Sequence, residues 1–386
     1  MAQHFDLAIR GCGIVGRTLA LLLAQQRLRV ALIQTSAPGT PGHSDVRAYS
    51  LNSAARDLLT SVRCWPEGTA VTPVLQMQVW GDQGGELNFS AREHGVDALN
   101  WMVDVPALEA QLASAVGFQA LITEFNGDTA DTETAPLTVI CEGRASRTRA
   151  ELGVNFDVKT YAQHAVAARL RCALPHGQTA RQWFRSDASA TTPDHAEILA
   201  LLPLGGADSH DVALVWSVPP AKAQSLLALE GSDFAQALAQ ACQHSLGDMA
   251  LISERAVWPL QLAQASPWVG TLPGQPQRSF ALAGDAAHTI HPLAGQGLNV
   301  GLADVAELAR VLAAREFWRP LNDMKLLRRY ARARQADVQA MAWVTDHLQT
   351  LFAHAGPPWQ PLRNWGLNTF NHLGPIKRWA TRNAMR

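Results

Sequence analysis

Gly11-Cys12-Gly13-Ile14-Val15-Gly16 follows the mostly apolar run Phe5-Asp6-Leu7-Ala8-Ile9-Arg10 and opens a stretch rich in helix formers. Three glycines at this spacing suit phosphate binding rather than acid–base chemistry. The first permits a tight turn, the second lets a pyrophosphate approach the backbone, and the third packs helix on strand. The helix N-terminus then offers free N–H groups to the anion. An acidic residue at the end of the next strand normally holds ribose hydroxyls, but Gln34 stands there, an amide that bonds without the help of charge. Arg10 is a second departure, because an apolar residue is expected at that strand end.

A second cluster runs from Ala283-Gly284-Asp285 to Gly297-Leu298-Asn299, again between a strand and a helix. Asp285 at a strand end can bind a ribitol or ribose hydroxyl, and Gly295 and Gly297 let backbone N–H groups face a flat ligand. Leu298, Leu302, Val305, Leu308 and Leu312 give the following helix one buried face. Its N-terminal dipole points at the loop and favours negative charge developing there.

His288 and His291 are spaced i, i+3, but Pro292 directly follows and no third ligand stands out, so no metal is expected. The two histidines either orient the loop or move a proton. Cys12, Cys64, Cys141, Cys172 and Cys242 contain no CxxC pair and read as free, mostly buried thiols, Cys12 as a small apolar residue. Neither a GxSxG elbow nor a Walker A sequence is present, which leaves hydrolase and P-loop readings unsupported.

The elements that position these residues follow from periodicity. A strand over 5–10, a helix to about Gln26 and a strand at Val30–Ile33 make a βαβ-type opening with a parallel sheet. Short strand-like pieces fill 71–100, a helix is predicted from about Pro106 to Ala115, and Thr138–Cys141 is a buried strand. From about Phe156 to Trp268 alternating segments such as Ala165–Cys172 and Ala213–Val218 predict an inserted, largely antiparallel sheet with one helix near Ser232–His244. Asp187–His195 reads as a loop, strand Ser279–Ala283 returns to the first unit, and the chain beyond Gly297 is mainly helical.

The hydrophobic fraction of 47% supports well-packed cores, and a charged fraction of 17% is low enough to suggest an apolar interface or substrate path. A net charge of −1 gives no general electrostatic case for nucleic acid. The N-terminus shows no leader and no stretch is long and apolar enough to span a bilayer, so a cytoplasmic location is expected.

The stretch Gly284–Gly301 closely resembles the GD motif of flavin aromatic hydroxylases, in the HPLAGQGLN form found in ubiquinone-biosynthesis hydroxylases. Asp45-Val46-Arg47-Ala48-Tyr49-Ser50-Leu51 is similar to that family's flavin-contacting Arg segment, and Arg181–Phe184, Leu201–Leu204 and Val215–Ser217 are also similar. The resemblance implies an α/β fold: a doubly wound, Rossmann-like FAD domain (1–70, 101–155 and 273–345), interrupted by a mostly antiparallel substrate-binding sheet (71–100 and 156–272), with C-terminal helices (346–386). It implies that Asp285 holds the FAD ribitol, that Arg47 faces the cofactor, and that Pro292, Gly295, Gln296, Gly297, Leu298 and Asn299 line the isoalloxazine, with His288 and His291 bordering the cavity. Cys141-Glu142-Gly143-Arg144-Ala145-Ser146-Arg147-Thr148-Arg149 is similar to the family's DG motif for FAD and NAD(P)H, with Glu142 in place of Asp, and Asp104-Val105 replaces the family's Glu-Asn.

The implied activity is a monooxygenase that uses NAD(P)H and O₂, by way of a flavin hydroperoxide, to hydroxylate the ring of a polyprenyl phenol in ubiquinone synthesis. The flavin then carries the difficult chemistry and no nucleophile–base pair is required. Two other readings stand beside it. One is an NAD(P)-dependent dehydrogenase using the first glycine turn alone; the other is a degenerate flavoprotein, suggested by Arg10, Gln34 and Glu142, acting as a scaffold in a quinone-synthesis complex. The segment after Asp346 is free of acidic residues, with Arg363, Lys377, Arg378, Arg382 and Arg386 among Trp359, Trp365, Phe370 and Trp379. It suits either a packed terminal helix or peripheral contact with an anionic membrane surface or partner. Ring position, prenyl length, NADH or NADPH, and oligomeric state are not encoded in these motifs.

Overall fold

The computed structural model describes residues 4–35, 46–81, 85–127, 134–185, 197–289 and 297–353, with side chains through 340. The opening strand Leu7–Arg10 pairs in parallel with Val30–Gln34 on one side and Leu137–Ile140 on the other. These three are buried almost throughout, as expected of strands covered on both faces. Ile122–Asn126 and Gln275–Leu282 extend the sheet in parallel, and Val269–Leu272 adds an antiparallel edge, giving six strands. The helix Ile14–Gln25 packs against the helices Val105–Gly117 and Gly297–Ala313. All five apolar positions expected to form the buried face of Gly297–Ala313 are buried; a fully buried Leu or Val contributes about 1.5–3 kcal/mol.

The larger sheet has nine strands and runs from His288–Thr289 through Ala256–Ser266, Asn155–Cys172, Asp211–Val218, Glu197–Leu204 and Thr179–Arg185 to Gln76–Trp80 and Glu86–Ser90, with Met249–Leu251 beside Asn155–Cys172. Its pairings are antiparallel except that of Thr179–Trp183 with Gln76–Trp80. Two helices, Pro220–Ala228 and Gly231–Ala241, stand where one was expected, and they share a core with this sheet. The break lies at Leu229-Glu230, and Pro219-Pro220 gives the first helix a favourable start. Ala48–Leu51, Asn100–Asp104 and Val71–Val74 form a separate three-stranded antiparallel sheet.

The mixed α/β class is as expected, although pairing crosses some expected segment limits. Val269–Leu272, which the expected domain limits leave with the antiparallel sheet, belongs to the first sheet because Gly274, at φ +70°, turns it back onto Gln275–Leu282. Asn155–Thr160 and Gln261–Ser266 form a paired ribbon leading from one sheet into the other. His288–Thr289 is stitched to that ribbon, which ties the Asp285 turn to the larger sheet.

Candidate functional site

The first glycine turn separates what the protein needs from what a ligand would need. Gly11 has φ +110°, and a Cβ there would lie 2.4 Å from the Cys141 carbonyl oxygen. A Cβ on Gly16 would lie 1.9 Å from the Gly11 carbonyl oxygen. Internal packing demands both glycines. Gly13 is different: a Cβ there would meet nothing within 4 Å. It is the N-cap of Ile14–Gln25, and no side chain caps that helix. Room beside the backbone, next to uncapped amides, fits a pyrophosphate laid against the turn. Cys12 is half-buried, and its thiol is pushed up to about 11, first by burial and then by the charge of Glu124. It stays protonated at neutral pH, so thiolate chemistry is absent there.

The two glycine clusters meet through Val15. A Cβ on Gly284, at φ +63°, would come within 3.3 Å of Val15, and one on Gly301 within 3.0 Å. Asp285 directly follows Gly284, so the turn that carries it packs against the start of the first helix. Asp285 itself is exposed in an otherwise buried run, Ala283 to His288. The surrounding protein raises its carboxyl pKa mainly by desolvation, while His288, Arg47 and Arg144 pull it back. An accessible carboxylate with cations nearby suits a hydrogen bond to a sugar or ribitol hydroxyl.

Buried polar groups grip this turn from both sides. Arg149, stacked with its guanidinium carbon 3.5 Å from the Phe156 ring centroid, donates to the carbonyls of Ala286 (3.0 Å) and Arg144 (2.8 Å). Asp304 accepts from the Gly284 amide (2.9 Å), from His288 Nε2–H (2.6 Å) and from Arg334 Nε (2.8 Å). Burial alone would raise the Asp304 carboxyl; His288 and then Arg334 outweigh it and hold the carboxyl below its ordinary value. His288 is buried and stacked on Trp268 with ring centroids 5.2 Å apart, so its visible role is to orient the turn. Sequence reasoning missed Asp304 and Arg334, and gave no separate role to Arg149 at the end of the DG-like run. The one available signal was a charged residue, Asp304, within an apolar helical face.

Arg10 and Glu142, separate departures in the sequence, face each other. Arg10 Nε donates to Glu142 Oε1 at 3.0 Å, and the same carboxylate accepts from Ser146 Oγ (2.7 Å), Thr148 Oγ1 (2.6 Å) and the Thr148 amide (3.0 Å). Gly143, next to it, has φ +78°. Asp104 is likewise engaged, in an ion pair with Arg169, which also donates to the carbonyls of Val46 (3.2 Å) and Arg47 (3.1 Å). That clamp fixes the backbone beneath the exposed Arg47, whose guanidinium lies 5.6 Å from the Tyr49 ring centroid.

Gln34 is exposed at its strand end. Asn299 donates to the Ser50 carbonyl (2.8 Å) and accepts from the Asn52 amide (3.1 Å), which fixes the start of the helix Gly297–Ala313 against the Arg47 segment. Leu298 is buried in the core. A Cβ on Gly297 would meet open space. His291, Pro292, Gly295 and Gln296 lie outside the described residues, as does the C-terminal segment 354–386. All five cysteines are free, and among the described residues no cluster could hold a metal ion. No helix among them is long and apolar enough to cross a membrane.

Comparison with known proteins places this arrangement. The chain is 29% identical over 408 residues to the 3-demethoxyubiquinol 3-hydroxylase of Escherichia coli, covering 99% of both chains. It is 27% identical over 446 residues to the mitochondrial ubiquinone biosynthesis monooxygenase COQ6 of Drosophila melanogaster, covering 99% of this chain and 90% of that one. In fold it is similar to p-nitrophenol 4-monooxygenase PnpA of Pseudomonas putida, with a TM-score of 0.71 at 16% identity over 100% of this chain and 97% of that one. The sequence pattern of the FAD binding domain family matches residues 87–345, which include the Asp285 turn and the Arg149, Asp304 and Arg334 that hold it, and the chain belongs to that family.

Proposed function

We propose that the protein is an FAD-dependent monooxygenase that hydroxylates the aromatic ring of a polyprenyl phenol intermediate in ubiquinone synthesis, with NAD(P)H as reductant and O₂ as oxygen donor. The observation that carries this reading is the approach of the two glycine clusters at Val15, which Gly284 and Gly301 both crowd: a first turn open at Gly13 and a second that carries the accessible Asp285, in a chain similar along its length to ubiquinone hydroxylases. Bound FAD supplies hydride acceptance and activation of O₂. The chain's own residues bind, orient and shield. Gly11, Gly13 and Gly16 form the pyrophosphate turn, Gln34 faces the adenosine ribose, and Asp285 takes a ribitol hydroxyl. The helix start at Gly297–Asn299, held by Asn299, aims its dipole toward the flavin ring, and Pro292, Gly295 and Gln296 complete that wall. Arg47 faces the cofactor, and Glu142-Gly143 shapes the neighbouring loop from within.

The first sheet and its helices make the FAD domain, here including Val269–Leu272. The larger sheet covers the substrate and excludes water that would waste the activated oxygen. The segment Trp359–Arg386 brings the enzyme to anionic lipid at the inner face of the cytoplasmic membrane, since Lys and Arg near such a surface contribute about 1 kcal/mol each. The test is turnover of the purified protein with FAD, NAD(P)H, O₂ and a short-chain polyprenyl phenol. Hydroxylated ring product supports the reading. Bound FAD with no NAD(P)H oxidation supports a scaffold instead, and NAD(P)H turnover without flavin supports a dehydrogenase.

A further inference from the structure

The Asp285 turn is fixed by groups that lie in neither glycine cluster. Asp304 is fully buried within the helix Gly297–Ala313. A buried carboxylate is costly unless it is paired and hydrogen-bonded, and the side-chain bonds of this one reach other segments. Oδ2 takes the Gly284 amide and His288 Nε2–H, while Oδ1 takes Arg334 Nε from the last described helix, Met324–Ala353. Gly284 immediately precedes Asp285, and its left-handed backbone turns the chain out of the strand Gln275–Leu282. Among the described residues, Arg334 bonds to helical ones: Asp304, the Val300 carbonyl at 3.4 Å and Asp337 at 2.7 Å.

We propose that Asp304, aligned by Arg334, is a positioning residue for FAD: it sets the Gly284 amide and thereby the direction in which Asp285 points. The last helix becomes part of cofactor binding without touching the cofactor. The inference rests on the reading of Asp285 as an FAD ligand. An Asn at position 304 would keep the shape but turn an N–H₂ donor toward a site where every neighbour is already a donor, so the turn must rotate or lose a bond. A Leu at position 334 would remove the group that aligns Oδ1 and leave the carboxylate free to tilt.

The test uses the full chain stripped of flavin and titrated with FAD, following quenching of flavin fluorescence. Circular dichroism first establishes a temperature at which each variant is folded. Asp285→Ala, Asp304→Asn and Arg334→Leu should each raise the FAD dissociation constant roughly tenfold or more, the scale of one charge-assisted hydrogen bond. Arg334→Lys, which retains a cation, should recover part of that loss. Leu327→Ala removes buried packing from the same helix without touching the polar network. It should lower the melting temperature yet change FAD affinity by less than about twofold. If Asp304→Asn does not fold, the two Arg334 variants decide. Loss of affinity in Asp285→Ala but not in the 304 or 334 variants overturns the inference alone, as does an equal loss in Leu327→Ala. Unchanged affinity in Asp285→Ala removes the site reading, and the inference falls with it.

Discussion

Arg10 and Glu142 should contribute to stability as a unit rather than as two imperfect cofactor contacts. Their side chains are 17% and 4% exposed, and the carboxylate accepts four hydrogen bonds, of which Arg10 supplies one. Glu142→Ala takes the carboxylate from a mostly buried guanidinium, which keeps its bond to Thr148 Oγ1 (2.7 Å), and removes the acceptor of the Ser146 hydroxyl and the Thr148 amide, at a cost of about 1–3 kcal/mol. Arg10→Val restores an apolar residue at the strand end and removes one charged bond, worth about 1.5–3 kcal/mol before the gain from burying valine. The double variant strands no charge, so its loss should fall short of the sum of the singles by about 1.5–3 kcal/mol. Urea unfolding of the four proteins, with and without FAD, measures this coupling. Additivity within about 0.5 kcal/mol would refute the pairing. Burial by itself would raise the Glu142 carboxyl, but bonds from Thr148, Ser146 and Arg10 hold it below its ordinary value. Its contribution is therefore full above the unfolded carboxyl range of about 4.3 and is lost as pH falls through the lower folded value. The stability gap between the parent and Glu142→Gln should be wide near neutrality and close in acid.

Three further outcomes follow from the same geometry. Gly13→Ala should fold normally, because its Cβ meets nothing, yet bind FAD more weakly; Gly11→Ala should destabilise the fold itself, with melting curves and FAD titration separating the two. Gln34→Glu should tighten FAD by restoring charge assistance at the ribose, and equal or weaker affinity by titration would mean that position 34 faces elsewhere. Arg149→Lys keeps the charge but cannot fork to two carbonyls and stack on Phe156 at once, so FAD affinity should drop several-fold, and an unchanged value would place the Ala286 carbonyl under other control.

The glycine turns, their order along the chain and the alternation of sheet types were legible because each depends on local residue type and spacing. The resemblance carried by Gly284–Gly301 is borne out by the family match. The devices that hold the site were not legible. Asp304 reaches Gly284 and Arg334 across 20 and 30 residues, and Arg149 reaches Ala286 across 137. Arg149 ends the DG-like run with no role assigned to it, and only folding shows its guanidinium on Phe156. Arg10 and Glu142 each broke a local rule, and their compensation needed the parallel pairing of Leu7–Arg10 with Leu137–Ile140 to bring them together. The edge strand Val269–Leu272 was missed because pairing, not periodicity, assigns a strand to its sheet.

The central claim is most directly tested by turnover under isotopically labelled O₂. Protein loaded with FAD is supplied with NAD(P)H and a short-chain polyprenyl phenol, and the product is analysed by mass spectrometry. The account predicts one labelled oxygen atom on the aromatic ring for each NAD(P)H consumed in coupled turnover. NAD(P)H oxidation that sends all the label to hydrogen peroxide, or ring oxygen drawn from water, would contradict it.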